Sequence, residues 1–288
     1  MTVRDAVISL LQAENIPAEP VMNNLDSVYE PLAAWVHAQY QQGKKIIGIS
    51  GAQGSGKSTL CKLLALLLQQ CFGKSVVRLS LDDFYLTYAQ RTGLAESVHP
   101  LLQTRGVPGT HDVGLAMAVL TALANGTPVS LPRFDKGRDD RVAENEWLSV
   151  NYPVDIILLE GWCVGATPQT AAQLQQPVNA LEAQEDAQGL WRQYVNARLA
   201  SGYQELFGML DVLVMLKVPS FEKVHEWRAL QESSLQQGMN AAQLQRFIMH
   251  YQRLTHHMLI EMPQRADLVL QIGEDHQVST RIRLKVEG

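Results

Sequence analysis

The segment Gly51-Ala-Gln-Gly-Ser-Gly56-Lys57-Ser58 limits what this chain can become more than any other. Its G-x-x-x-x-G-K-[ST] pattern constrains four positions, and average residue usage supplies only about 0.01 such matches by chance in a chain of 288 residues. An apolar run at 45–50 precedes it and an apolar helical pattern from Lys57 to about Cys71 follows it. Strand, glycine-rich loop and helix in that order form a phosphate-binding unit. Glycines let backbone amides approach an anion closely, and the helix that follows directs its free N–H groups at the same point. Gly51, Ala52, Gln53, Gly54, Ser55, Gly56, Lys57, Ser58 and Thr59 are therefore the expected nucleotide site. Lys57 is expected to reach the β- and γ-phosphates of ATP and Ser58 to offer its hydroxyl to Mg²⁺, with Thr59 as a second hydroxyl.

Further buried strands are expected at 75–80, 154–159, 211–217 and 266–271, with a final antiparallel strand at 279–285. A helix is expected over 112–124, with Asp112 placed to cap it. Near-continuous apolar strands alternating with helices specify a mainly parallel sheet covered on both faces, the P-loop NTPase type of α/β fold. Residues 1–43 read as a helical N-terminal arm, with helices at 3–13 and 25–42, and residues 44–288 as the P-loop domain. The Gln- and Ala-rich stretch 167–188 is the expected excursion or mobile segment.

Hydrophobic residues make up 46% of the chain, enough for a large core. A net charge of −5 and the lack of a Lys/Arg block argue against nucleic acid as a partner. Three cysteines without a C-x-x-C pair suit a reducing compartment. The first residues lack the pattern of a signal peptide, and no apolar run is long enough to span a membrane. The expectation is a cytoplasmic enzyme acting on a small molecule.

Two acidic positions complete the phosphate loop. Glu160 ends the 154–159 strand, where ligands gather in open α/β sheets, and is expected to hold Mg²⁺ or its bound water. Asp82-Asp83-Phe84-Tyr85 leaves the 75–80 strand in the same way. A carboxylate there can take the proton of an acceptor hydroxyl that attacks the γ-phosphate. Arg105, His111, Arg133, Lys136, Arg138 and Arg141 fall in two segments that such a fold brings toward the acceptor. Arg133 is the first choice to clamp a carboxylate, because it follows Pro132 at the end of a short apolar run. His250, His256 and His257 are not spaced as metal ligands on one face.

These residues resemble the phosphoribulokinase, uridine kinase and pantothenate kinase superfamily. Arg105-Gly-Val-Pro-Gly-Thr-His111-Asp112 is similar to the acceptor-side segment of pantothenate kinases. Ser80–Tyr85, Leu131-Pro-Arg-Phe-Asp-Lys136, Glu160-Gly-Trp162, Glu226-Trp-Arg228 and the segment around 250–255 resemble the branch containing D-glycerate 3-kinase. The likeness runs from about Lys45 to the end, and the short 137–140 segment departs from it. The resemblance implies that Asp82 is the base, that Lys57 and Arg228 stabilise transferring charge, and that Arg228 belongs to a lid. Asp83, Tyr85, Arg105, His111, Arg133 and Arg141 are the acceptor-side candidates. The implied activity is ATP-dependent phosphorylation of a metabolite hydroxyl, with D-glycerate as the leading acceptor. A nucleoside, a pantothenate-like compound or a sugar phosphate remains an alternative, as does a nucleotide-dependent switch. A switch of the GTPase type needs an N-K-x-D segment, which the chain lacks.

Overall fold

The computed structural model describes residues 2–233 and 239–284. Helices α1 (Val3–Ala13), α2 (Ala18–Asn23) and α3 (Glu30–Gln41) form the N-terminal arm, and a π-helical turn at Leu25–Tyr29 leads into α3. Strand β1 (Ile46–Gly51) then enters the phosphate loop, followed by α4 (Lys57–Phe72) and β2 (Val76–Ser80). Next come α5 (Tyr88–Ser97), α6 (Val113–Ala124) and four short strands: β3 (Val129–Leu131), β4 (Phe134–Asp135), β5 (Asp140–Arg141) and β6 (Leu148–Val150). Strand β7 (Ile156–Gly161), helices α7 (Ala180–Glu185), α8 (Leu190–Ala200) and α9 (Gly202–Phe207), and β8 (Val212–Lys217) follow. The described chain closes with α10 (Phe221–Ser233), α11 (Ala241–Glu261), β9 (Leu268–Ile272) and β10 (Val278–Leu284).

The main sheet has the order β10-β9-β8-β1-β7-β2. Every pairing in it is parallel except β9 with β10. Both β1 and β7 are buried along their whole length, as apolar strands covered on both faces must be. One core layer joins α4 to the arm, with Leu11, Leu25, Val28, Leu32 and Val36 packed among Leu63, Leu64 and Leu67. The other lies under α6, α9 and α11, around Leu120, Leu206, Leu254 and Met258.

The expected elements recur with local shifts. The 25–42 helix is divided because Pro31 sits at the start of α3 and lacks the N–H that a continuing ladder would use. The 154–159 strand begins later, at Ile156, because Asp155 serves the loop: its carboxylate accepts from the Ser75 amide and the Tyr40 hydroxyl, both at 2.8 Å. Lys285, the last residue of the expected final strand, lies outside the described residues. The 167–188 stretch is an excursion, but a packed one. Glu182 within it is fully buried and paired with Arg253 of α11 at 2.6 Å, and Asp186 is paired with Arg192 at 3.0 Å.

Candidate active site

The register Ile49–Glu160 and Ser80–Glu160 brings the C-terminal ends of β1, β7 and β2 to one edge of the sheet. The candidate site is built there, as open α/β sheets dictate. The chain reverses through Gly56, whose φ of 85° is left-handed and closed to most other residues. That turn aims the first amides of α4 into a cleft of about 750 Å³. Gln53, Gly54, Gly56, Lys57, Ser58 and Thr59 line it. Gly51, Ala52 and Ser55 form the buried part of the loop beneath.

Ser58 donates its hydroxyl to Glu160 Oε1 at 2.8 Å. The other carboxylate oxygen, Oε2, is buried and has no hydrogen-bond partner among the described residues. A buried, half-satisfied carboxylate beside a hydroxyl fits a hard cation that completes its shell with phosphate and water. Among the described residues no cluster of three or more His, Cys, Asp or Glu side chains offers a competing site.

Asp82 sits on the short turn Leu81–Phe84 that ends β2. Its Oδ1 accepts from the Tyr85 hydroxyl at 2.8 Å and its Oδ2 from Lys136 Nζ at 2.6 Å. Burial works against its charge, but the Lys136 ammonium, Lys57 and the Tyr85 hydroxyl together draw the pKa down to about 2. Asp83 points the other way, to the Phe134 amide at 3.2 Å, and burial lifts its pKa to about 6. Tyr85 is buried and stacks on His111 at 4.6 Å, and burial keeps it a neutral phenol. His111 Nδ1 lies 2.6 Å from the Tyr203 hydroxyl. Burial lowers the His111 pKa to about 4, so the imidazole is neutral at pH 7.

A recess of about 100 Å³ opens beside Asp82. Lys57, Arg105, Lys136 and Arg228 bring positive charge to its wall, and Gln53, Tyr85, Trp162, Phe247 and Tyr251 complete it. Arg105 pairs with Asp139 and lies over the Phe134 ring at 5.4 Å. The loop that carries it is held from behind: Trp162 donates to the Gly106 carbonyl at 2.8 Å and Tyr251 to the Arg105 carbonyl at 3.0 Å. Arg228, on α10, lines both cleft and recess and lies 5.6 Å from the Phe247 ring.

The sequence candidates are thus sorted. Lys57, Ser58, Glu160, Asp82, Tyr85, Arg105 and Arg228 converge, and His111 stands behind Tyr85. Arg141 is turned to structure, donating to the Tyr85 carbonyl at 2.9 Å and lying 3.4 Å from Asp112, the cap of α6. Arg133, the first choice for a clamp, is exposed and lines neither cavity. Lys136, in the turn between β4 and β5, reaches Asp82 from the surface, its side chain still 61% exposed. Sequence reasoning set Lys136 among a group of cations without singling it out. It gave no signal for His276, whose ring stacks on Trp227 at 4.2 Å and contacts the Gly54 carbonyl.

Comparison with known proteins agrees with this geometry. The sequence profile of the Phosphoribulokinase / Uridine kinase family matches residues 46–175. The chain is 37% identical over 246 residues to the uncharacterized kinase mug58 of Schizosaccharomyces pombe, covering 80% of this chain and 87% of that one. It is 32% identical over 220 residues to the chloroplastic D-glycerate 3-kinase of Arabidopsis thaliana, covering 72% of this chain but only 46% of that one. The D-glycerate 3-kinase structure from Cryptococcus neoformans superposes with a TM-score of 0.75 over 89% of this chain and 99% of that one, at 24% identity, a likeness of fold. These relatives favour a kinase over the nucleotide-dependent switch. The chain belongs to the phosphoribulokinase/uridine kinase family and is an ATP-dependent phosphotransferase.

Proposed function

We propose that residues 44–288 transfer the γ-phosphoryl group of Mg²⁺-bound ATP to a hydroxyl of a short hydroxy acid of the D-glycerate class. The observation that carries this reading is the recess of about 100 Å³ beside Asp82, small and rich in cations. Its volume suits a three- or four-carbon acid better than a nucleoside or a pantothenate-like compound. Its charge suits a carboxylate, which Arg105 can clamp in bidentate fashion. The similarity to the Arabidopsis D-glycerate 3-kinase supports the same class.

In this mechanism the acceptor oxygen bonds to the γ-phosphorus as the bond from that phosphorus to the ADP oxygen breaks. The acceptor proton passes to Asp82. Lys57 and Arg228 oppose the charge that spreads over the transferring group, and Ser58 and Glu160 would hold the cation. A Mg²⁺ ion held there would supply positive charge against the phosphates. Lys136, which spans the cleft and the recess, must leave Asp82 before the carboxylate can accept a proton, and incoming phosphate offers it a stronger partner.

The test is a panel of hydroxy acids, nucleosides, pantothenate, sugars and sugar phosphates with ATP and Mg²⁺. Turnover is expected with D-glycerate or a close homologue, and a preference for a nucleoside or sugar phosphate would overturn the acceptor class. Asp82→Asn is expected to lower kcat by about 10²- to 10⁴-fold while ATP binding persists. Normal turnover in that variant would remove Asp82 from the role of base.

A further inference from the structure

Phe247 of α11 lines the recess beside Asp82 and also a seam between α10 and α11. Phe221, Val224 and Ile248 complete the apolar part of that seam, which is too narrow to admit water. The Phe247 ring is half-buried and packs against both core layers. The Arg228 guanidinium lies 5.6 Å from its centroid and the Tyr251 ring 4.9 Å. Other walls of the recess have polar work: Tyr85 orients Asp82, while Trp162 and Tyr251 hold the loop of Arg105. Phe247 has no group that could hold a proton, a phosphate or a carboxylate, so what it adds to the recess is shape. It also lies beyond residues 46–175, the segment that matches the family profile and contains the phosphate loop, Asp82 and Glu160.

We propose that Phe247 is a specificity-determining residue, whose ring limits the length of the acceptor that the recess admits. The inference rests on the reading of that recess as the site of a short hydroxy acid. An acid bound there is fixed at two points, its carboxylate at Arg105 and its reacting hydroxyl at Asp82. Further carbons must find room against the remaining walls. The ring cannot step aside cheaply, because it is packed against both core layers and a shift would disturb Arg228. One methylene too many in a close-fitting apolar site costs about 10- to 200-fold in kcat/KM. Without the ring, the recess and the seam are expected to merge into an apolar space that takes the extra carbons.

The test compares kcat/KM for D-glycerate with that for D-ribonate, an acid two carbons longer, at saturating ATP and Mg²⁺. The wild-type protein is expected to use D-ribonate about 100-fold less well, and equal use of the two acids would overturn the inference. Phe247→Ala is expected to raise the ratio of D-ribonate to D-glycerate by about tenfold or more. Both acids take the same phosphoryl group in the same protein, so lost folded protein or a displaced Arg228 lowers both and leaves the ratio unmoved. Phe247→Leu, a smaller change, is expected to move the ratio the same way by about threefold. An unchanged ratio in either folded variant would overturn the inference, and if neither folds the wild-type comparison decides. Turnover of D-glycerate with an unchanged ratio defeats this inference and leaves the proposed function standing. No turnover of any hydroxy acid defeats the proposed function, and with it the acceptor whose length Phe247 limits.

Discussion

At the scale of single residues, Asp82 is held between two donors of different kinds. Tyr85 is a neutral phenol that orients one oxygen, whereas Lys136 is a cation that suppresses the basicity of the other. Removing the cation must raise the Asp82 pKa, because the largest influence favouring its ionised form is lost while burial remains, although Lys57 and Tyr85 still act. Lys136→Met is therefore expected to bring the acid limb of the kcat/KM profile up toward the ordinary carboxylate range of about 4 or above. The wild-type enzyme is expected to show no limb there, since its Asp82 is ionised down to about pH 2. A pH–rate series on the two proteins checks this, and superimposable profiles would mean that Lys136 does not set the Asp82 pKa in the free wild-type enzyme. The carboxylate was legible in the sequence because it follows an apolar strand. Lys136 was not singled out, because contact with Asp82 depends on a hairpin of two-residue strands that no periodicity announces.

At the scale of elements, the loop at 105–111 is the most constrained segment of the acceptor side. Gly106 has a φ of 130°, and a Cβ there would stand 2.1 Å from the Tyr251 hydroxyl. Strain and displacement of Tyr251 from the Arg105 carbonyl would follow together. Gly106→Ala is expected to cost about 1–3 kcal/mol of stability and to lower kcat/KM for the acceptor, with ATP affinity little changed. Denaturant titration and steady-state kinetics measure the two effects separately. The strand–loop–helix unit at 46–72 needed no such tertiary information. Its apolar strand, its glycines and its helical periodicity are local properties, and all agree on one structure.

At the scale of the whole molecule, the arm and the kinase unit share one core layer, although only the latter carries recognisable motifs. Leu32 of the arm is 1% exposed among α4 side chains, and truncating it leaves a cavity that the surroundings fill only partly. Leu32→Ala is expected to destabilise the protein by about 2–5 kcal/mol. Calorimetry is expected to show one transition moved to lower temperature, and a separate early transition would mean that the arm unfolds alone. The amino-acid sequence by itself determined the phosphate loop, the parallel sheet and the acids at its edge, because each is written in residues close together along the chain. Tertiary structure alone decided which cations face Asp82, which arginines serve as ties, and that the arm borders the phosphate site. Those outcomes depend on how distant segments pack, and side-chain direction across a hairpin or a shared core is set by the neighbours it meets.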